Sequence, residues 1–202
     1  MLPVIAIIAP GAMGSAVAKR LTTAGLTVLT NLDGRSPASR SRAHDAGMQD
    51  VPFSDLPLKA NWVLSILPPS EASAFAQKFK DAYTQATVQR PLRFADCNAV
   101  NPETVKRISQ TFVGTTIKFV DAGIIGGPPK GDYDPVFYAS ASPDDSPILD
   151  EFVNLSKYGL KVSPLRGEGA GIGDASALKM SYAVNFHFVS VHTHQLTKSY
   201  RV

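Results

Sequence analysis

The sequence predicts an α/β fold, an open and mostly parallel sheet with helices on both faces. Three observations carry this. Short β-branched apolar runs alternate with segments of helical periodicity through the first 163 of the 202 residues. The first run feeds a glycine turn, APGAMG at 9–14, which opens directly into a helical pattern. The ends of most segments are marked by Gly or Pro, the residues that stop helices and close strands. With 44% hydrophobic and 18% charged residues, the chain is able to bury a core.

The elements follow in order. Residues 4–9 are a buried strand, and 12–24 a helix stopped at Gly25. A strand over 26–32 leads to a short basic helix over 36–46, ending near Gly47. A strand over 61–67 is closed by Pro68-Pro69, after which Ser70 is expected to cap a helix reaching about residue 83. A strand at 92–97 precedes a helix at 102–112, and a strand at 118–122 enters the loop GIIGGPPKGDYD. A strand at 135–140, a helix at 147–158 and a short strand at 161–163 complete the first domain, 1–163. SPLRGEGAGIG (163–173) has the glycine content of a hinge. From Asp174 a long helix begins, so 164–202 is expected to be the hinge and the start of a helical domain.

The totals exclude some classes. A net charge of +3 without a Lys/Arg block argues against nucleic acid and suits small anions. The apolar start is too short to span a membrane and lacks a basic n-region. A single cysteine, Cys97, allows no intrachain disulfide and fits a reducing compartment. A cytoplasmic protein is expected.

The turn at 9–14 reads A-x-G-x-x-G, with Ala9 in place of the first glycine. Gly11 lets backbone approach a pyrophosphate, and Gly14 lets helix lie close to strand. The first helical residues, Ala12 and Met13, present free N–H groups and the positive end of the helix dipole. Strand, turn and helix together indicate a Rossmann-type, doubly wound dinucleotide-binding fold. The second strand ends in TNLDGRS, which carries Asp33, the residue type that NAD enzymes use for the ribose 2′-OH. It also carries Asn31, Arg35 and Ser36, the types that cradle a 2′-phosphate, with Arg40 and Arg42 following. The balance favours NADP, with NAD as the alternative.

Taken together, IIAPGAMG, LSILPPS, DCNAVNPET, DAGIIGGPP and GIGDASALK resemble the β-hydroxyacid dehydrogenase family, which includes 3-hydroxyisobutyrate and 6-phosphogluconate dehydrogenases and, more distantly, imine reductases. The likeness covers 1–183. It is nearest to a branch that pairs a 6-phosphogluconate-dehydrogenase-type NAD-binding domain with a distinctive C-terminal helical domain. The resemblance implies that Leu67 and Pro68 line the cofactor groove. It places Asn98 where the family has a Ser-Thr pair, within reach of nicotinamide or substrate. It gives the backbone N–H groups of Gly126 and Gly127 a substrate carboxylate. Ile125 stands where the family has a substrate-binding serine, which points to a more apolar substrate.

The same resemblance makes Lys179 the catalytic lysine. Hydride transfer at a carbinol carbon needs proton transfer at oxygen, and a lysine can supply it when burial lowers its pKa. Its helical neighbours Ala175, Ser176, Tyr182, Ala183 and Phe186 make a small and apolar surface, unlike the usual solvated face. Ala183 replaces the family's substrate-orienting asparagine, and Tyr182 is the candidate to act in its place. The expected activity is oxidation of a 3-hydroxy acid or reduction of its keto partner. A non-catalytic NADP(H)-binding protein is the alternative, and an imine reductase the third reading. Cys97 reads as packing. His187, His192 and His194 lack a common helical register, and no metal is expected.

Relatives of this kind continue as a dimer-forming helical domain, whereas VNFHFVSVHTHQLTKSYRV alternates like a strand. The expectation is a truncated chain, possible as a monomer, with a tail foreign to the fold from about 184. Val184-Asn185 is compatible with an intron donor read through in translation. Genomic sequence with no downstream helical-domain exon would sink that account.

Overall fold

The structure, a computed structural model, describes residues 2–86 and 91–183. Its strands are β1 (Ile5–Ile7), β2 (Val28–Thr30), β3 (Gln49–Asp50), β4 (Trp62–Ser65), β5 (Leu92–Asp96), β6 (Ile117–Ile125), β7 (Val136–Ser140) and β8 (Lys161–Pro164). They form one sheet in the order β3-β2-β1-β4-β5-β6-β7-β8, parallel throughout except between β6 and β7. The helices are α1 (Ala12–Thr23), α2 (Pro37–Asp45), α3 (Leu56–Lys59), α4 (Ala72–Gln85), α5 (Pro102–Thr111) and α6 (Pro147–Val153), followed by α7 over 174–183. From β1 the chain winds first toward β3 and then, from β4, the other way. That reversal opens a crevice at the C-terminal ends of β1 and β4.

Period-two alternation explains the two cores. Ile5, Ile7, Trp62 and Leu64 face α1 and α6, meeting Val17, Leu21 and Phe152. Ala6, Ile8, Val63 and Phe94 face the other way, toward Phe75, Phe79 and Phe112 on the α4–α5 side. Phe94 is the centre of that layer, with the rings of Phe75, Phe79, Phe112 and Phe119 at 4.7–6.0 Å. Central strands buried on both faces must be apolar on both faces, as these are.

Helix ends follow the expected residues in part. Gly25 and Gly47 take left-handed φ values of 88° and 70° past α1 and α2. Ser36 caps α2 and Asn101 caps α5, accepting from the N–H groups of Ser39 and Thr104. Ser70 does not cap α4. Pro69–Glu71 forms a 3-10 turn first, and no side chain caps the helix that follows. The 147–158 segment divides into α6 and a 3-10 helix, Asn154–Tyr158. β6 runs three residues past the expected end at 122, because β7 pairs back along it as far as Ile125. β3 and α3 were not legible in the sequence. β3 is two exposed polar residues, and its partner β2 supplies the reason it is a strand.

Candidate active site

α1 begins directly after Gly11, with no side-chain cap and no acidic residue in its first turn. The N–H groups of Ala12, Met13 and Gly14 therefore have no intrahelical acceptor and carry the positive end of the helix. Gly11 has φ −70° and no atom within 4 Å of where a Cβ would stand. Its own backbone and its neighbours do not require glycine, whereas a ligand lying on that backbone would. Gly14 is different, since a Cβ there would overlap the Ala9 carbonyl oxygen. Arg42 Nε donates to the Pro10 carbonyl at 2.7 Å and steadies the turn.

Beside the turn lies a cavity of about 240 Å³, lined by Ile8, Asn31, Asp33, Arg35, Leu67 and Phe75 among others. Asn31 is buried and donates to Asp33 Oδ2 at 2.9 Å and to the Val51 carbonyl at 3.0 Å. Arg40 donates to the Leu32 carbonyl at 2.5 Å and the Arg35 carbonyl at 3.3 Å, which folds the 32–40 loop. Arg40 and Arg42 thus brace backbone. Among the described residues Arg35 has no side-chain hydrogen bond or ion pair, and its guanidinium stays available at the cavity. Ser36 Oγ is engaged in capping α2.

The parallel register sets Ser65, Asp96 and Asp121 side by side on β4, β5 and β6. Asn98 is buried just beyond this row. Its Oδ1 accepts from Leu67 N–H at 2.6 Å and its Nδ2 donates to Ser65 Oγ at 2.9 Å, tying the two loops that carry Leu67 and Asn98. Pro68 follows on the exposed side. Burial, opposed by hydrogen bonds from Asn98, pushes Asp96 up to about 6, and its Oδ2 is buried without a partner. Burial and then the two aspartates push the Cys97 thiol well above 9.0, so Cys97 packs as a thiol.

Lys179 reaches this edge from α7. Its ammonium donates to the Ile124 carbonyl at the end of β6, and half-burial lowers its pKa from 10.5. Close approach is possible because Gly123 has no side chain: a Cβ would lie 2.7 Å from the Ala175 carbonyl oxygen and 3.1 Å from Lys179 Cβ. Asp121 holds the start of the helix, and sequence reasoning assigned it no role. Its Oδ2 accepts from the N–H groups of Gly173 at 2.9 Å and Ser176 at 3.1 Å, and its Oδ1 accepts from Ser176 Oγ at 2.8 Å. The DAGIIGG motif and the GIGDASALK motif each hinted at a site, but no local signal joined them.

Gly126 follows β6 with φ +126°, and a Cβ there would overlap the Tyr133 hydroxyl. Gly127 N–H donates to that hydroxyl at 3.1 Å, so one of the two expected carboxylate donors already has an acceptor. The Tyr133 loop is held to α1 by Arg20, which donates to Asp134 at 2.7 Å and to the Tyr133 carbonyl at 3.3 Å. Tyr133 is a second residue missed in the sequence, since only the hairpin return brings it over Gly126. Tyr182 is 51% exposed, one turn beyond Lys179. Among the described residues no group of three His, Cys, Asp or Glu could hold a metal ion, and no helix is long and apolar enough to cross a membrane. His187, His192, His194 and the tail from 184 lie outside the described residues.

An uncapped glycine turn at the switch point of a parallel sheet defines a dinucleotide-binding α/β protein. Residues 4–159 match the NAD-binding domain of 6-phosphogluconate dehydrogenase, and the chain belongs to that family. Among solved structures it is similar to a conserved protein of unknown function that resembles 3-hydroxyacid dehydrogenases, at 30% identity and TM-score 0.73, over 89% of this chain and 62% of that one. It shares the fold of 3-hydroxyisobutyrate dehydrogenase from Mycobacterium tuberculosis, at 17% identity and TM-score 0.71, over 99% and 64%. It also shares the fold of an imine reductase from Myxococcus stipitatus, solved with NADP+, at 19% identity and TM-score 0.71, over 96% and 64%. The chain thus spans less than two thirds of the length of these proteins. A comparison with curated proteins finds no match.

Proposed function

We propose that the chain binds NADP(H) and belongs to an oxidoreductase acting on a 3-hydroxy acid or its keto partner, with Lys179 as the proton donor and acceptor. The observation that supports this best is Lys179 itself: an amine half-buried at the sheet edge and bonded to the carbonyl of Ile124, the residue that leads in the chain to Ile125, Gly126 and Gly127. The free N–H groups of Ala12, Met13 and Gly14 suit a pyrophosphate, and Arg35 a 2′-phosphate. Bound cofactor supplies or accepts the hydride. As an ammonium, Lys179 donates to the developing alkoxide during reduction. As an amine, it takes the hydroxyl proton during oxidation, a role that its lowered pKa favours. Gly126 and Gly127 face the carboxylate in this reading. Tyr133, which accepts from Gly127, keeps its hydroxyl proton to donate there.

Fluorescence titration tests the cofactor half. NADPH is expected to bind more tightly than NADH, and Arg35→Ala to weaken NADPH about tenfold or more while leaving NADH nearly unchanged, since a charge-assisted bond contributes about 1.5–3 kcal/mol. Failure to bind either nucleotide overturns the reading. Lys179→Met tests the chemical half. Its NADPH affinity should match the wild type, with turnover of 3-hydroxy acids reduced about 10²- to 10⁴-fold. Nucleotide binding without turnover in the wild-type chain would favour a nucleotide-binding protein instead.

A further inference from the structure

We propose that Asp121 is the positioning residue for Lys179: from β6 its carboxylate fixes the start of α7 and so determines where the lysine stands at the sheet edge. The inference rests on the reading of Lys179 as the proton-transfer group. A helix start is ordinarily held by the residue just before its first turn. Here that residue is Gly173, with φ +111° and no side chain. Asp121 replaces it from a strand 52 residues away in sequence, taking the N–H groups of Gly173 and Ser176 on Oδ2 and the Ser176 hydroxyl on Oδ1. Ser140 Oγ donates to the same Oδ2 at 3.3 Å and accepts from Ala175 N–H at 3.2 Å, so β7 joins the grip.

The same strand holds α7 again further along. Gly123 allows the helix backbone down onto β6, and the Ile124 carbonyl accepts from Lys179. Ser176 and Lys179 are three residues apart and share one helix face. A slip of one residue would move the lysine about 1.5 Å along the axis and turn it about 100° away. Misplacement near 1 Å is enough to cost about 10² in rate. The other charged groups near this helix start do not hydrogen-bond Lys179. Asp96 lies beside Asp121 in the register, Asp174 accepts from Gly171 N–H, and Lys106 lies against Gly173.

Competitive acetylation of the full chain with trace acetic anhydride, followed residue by residue by mass spectrometry across pH, reads the position of Lys179 without needing turnover. In Asp121→Asn one of the two accepting oxygens becomes an NH2 group and the charge is lost, so the side chain cannot accept at both positions at once. Lys179 is expected to become several-fold more reactive and to titrate nearer 10.5, while Lys19 and Lys78 are unchanged and NADPH binding persists. Ser176→Ala, which removes only the Oδ1 contact, should shift Lys179 in the same direction but less. An Asp121→Asn chain that folds and binds NADPH, yet labels Lys179 as the wild type does, overturns the proposal. If that variant does not fold, an unchanged Lys179 in Ser176→Ala overturns it. A wild-type Lys179 that titrates like a surface lysine sinks the proton-transfer reading instead, and the difference in labelling rate between the variants still decides the positioning.

Discussion

Asp96→Asn abolishes most of the loss of stability that the wild-type chain suffers as pH rises from about 4 to about 6. The sign follows from where the proton is held. Asp96 titrates near 3.8 in an open chain and about 6 in the fold, chiefly because it is buried. Below both values it is protonated in either state and affects nothing. Between them the unfolded chain releases its proton while the folded chain keeps it, so folding weakens as pH rises. Above the folded value the loss is complete, at about 3 kcal/mol for a shift of about two units. Asparagine keeps an oxygen for Asn98 N–H and is neutral at every pH. Its amide hydrogens replace an Oδ2 that has no partner, at a cost of about 1–3 kcal/mol that does not vary with pH. The slope is therefore the observable. Asp121, also raised by burial, contributes a slope of the same sign in both chains. Urea unfolding from pH 4 to 7.5 measures it, and parallel profiles for the two chains would refute the assignment.

The two glycines of the nucleotide turn should fail in different ways. Gly14→Ala forces a methyl group into the Ala9 carbonyl oxygen, so α1 must lift from β1. Alanine in an open helix would stabilise by about 1 kcal/mol. Against rigid backbone the clash wins, and a net loss of about 2 kcal/mol with loss of NADPH binding is expected. Gly11→Ala has free space and an ordinary φ, so its urea midpoint should stay at the wild-type value. Its methyl group would stand on the surface that the pyrophosphate approaches, and NADPH affinity should fall about tenfold or more, equivalent to about 1.4 kcal/mol. Equal losses of stability in the two variants would show that Gly11 serves the fold and not the ligand.

Most strands and helices were legible because their causes are local. Alternating Ile5, Ala6 and Ile7 require a strand buried on both faces, and Gly25 and Gly47 stop helices by a conformation other residues resist. β3 was not legible, since Gln49 and Asp50 have no strand preference and owe their state to pairing with β2. Ser70 has the right residue type for a cap, but Pro68 and Pro69 before it direct the chain into a 3-10 turn.

The candidate site divides along the same line. Gly11, Gly14 and Arg35 could be named from spacing, because strand, turn and helix start follow one another within a few residues, whereas Lys179 was named through the family resemblance of its motif. Asp121 and Tyr133 could not be named. Asp121 meets Ser176 across 55 residues, and Tyr133 reaches Gly127 only after the hairpin closes. Asn98 was named for a ligand, yet both ends of its amide hold protein groups. By itself the sequence determined which groups are present and which backbone conformations they require. The tertiary structure decided which of them meet, because hydrogen bonds between distant segments depend on sheet register and helix placement, and neither is written in local spacing.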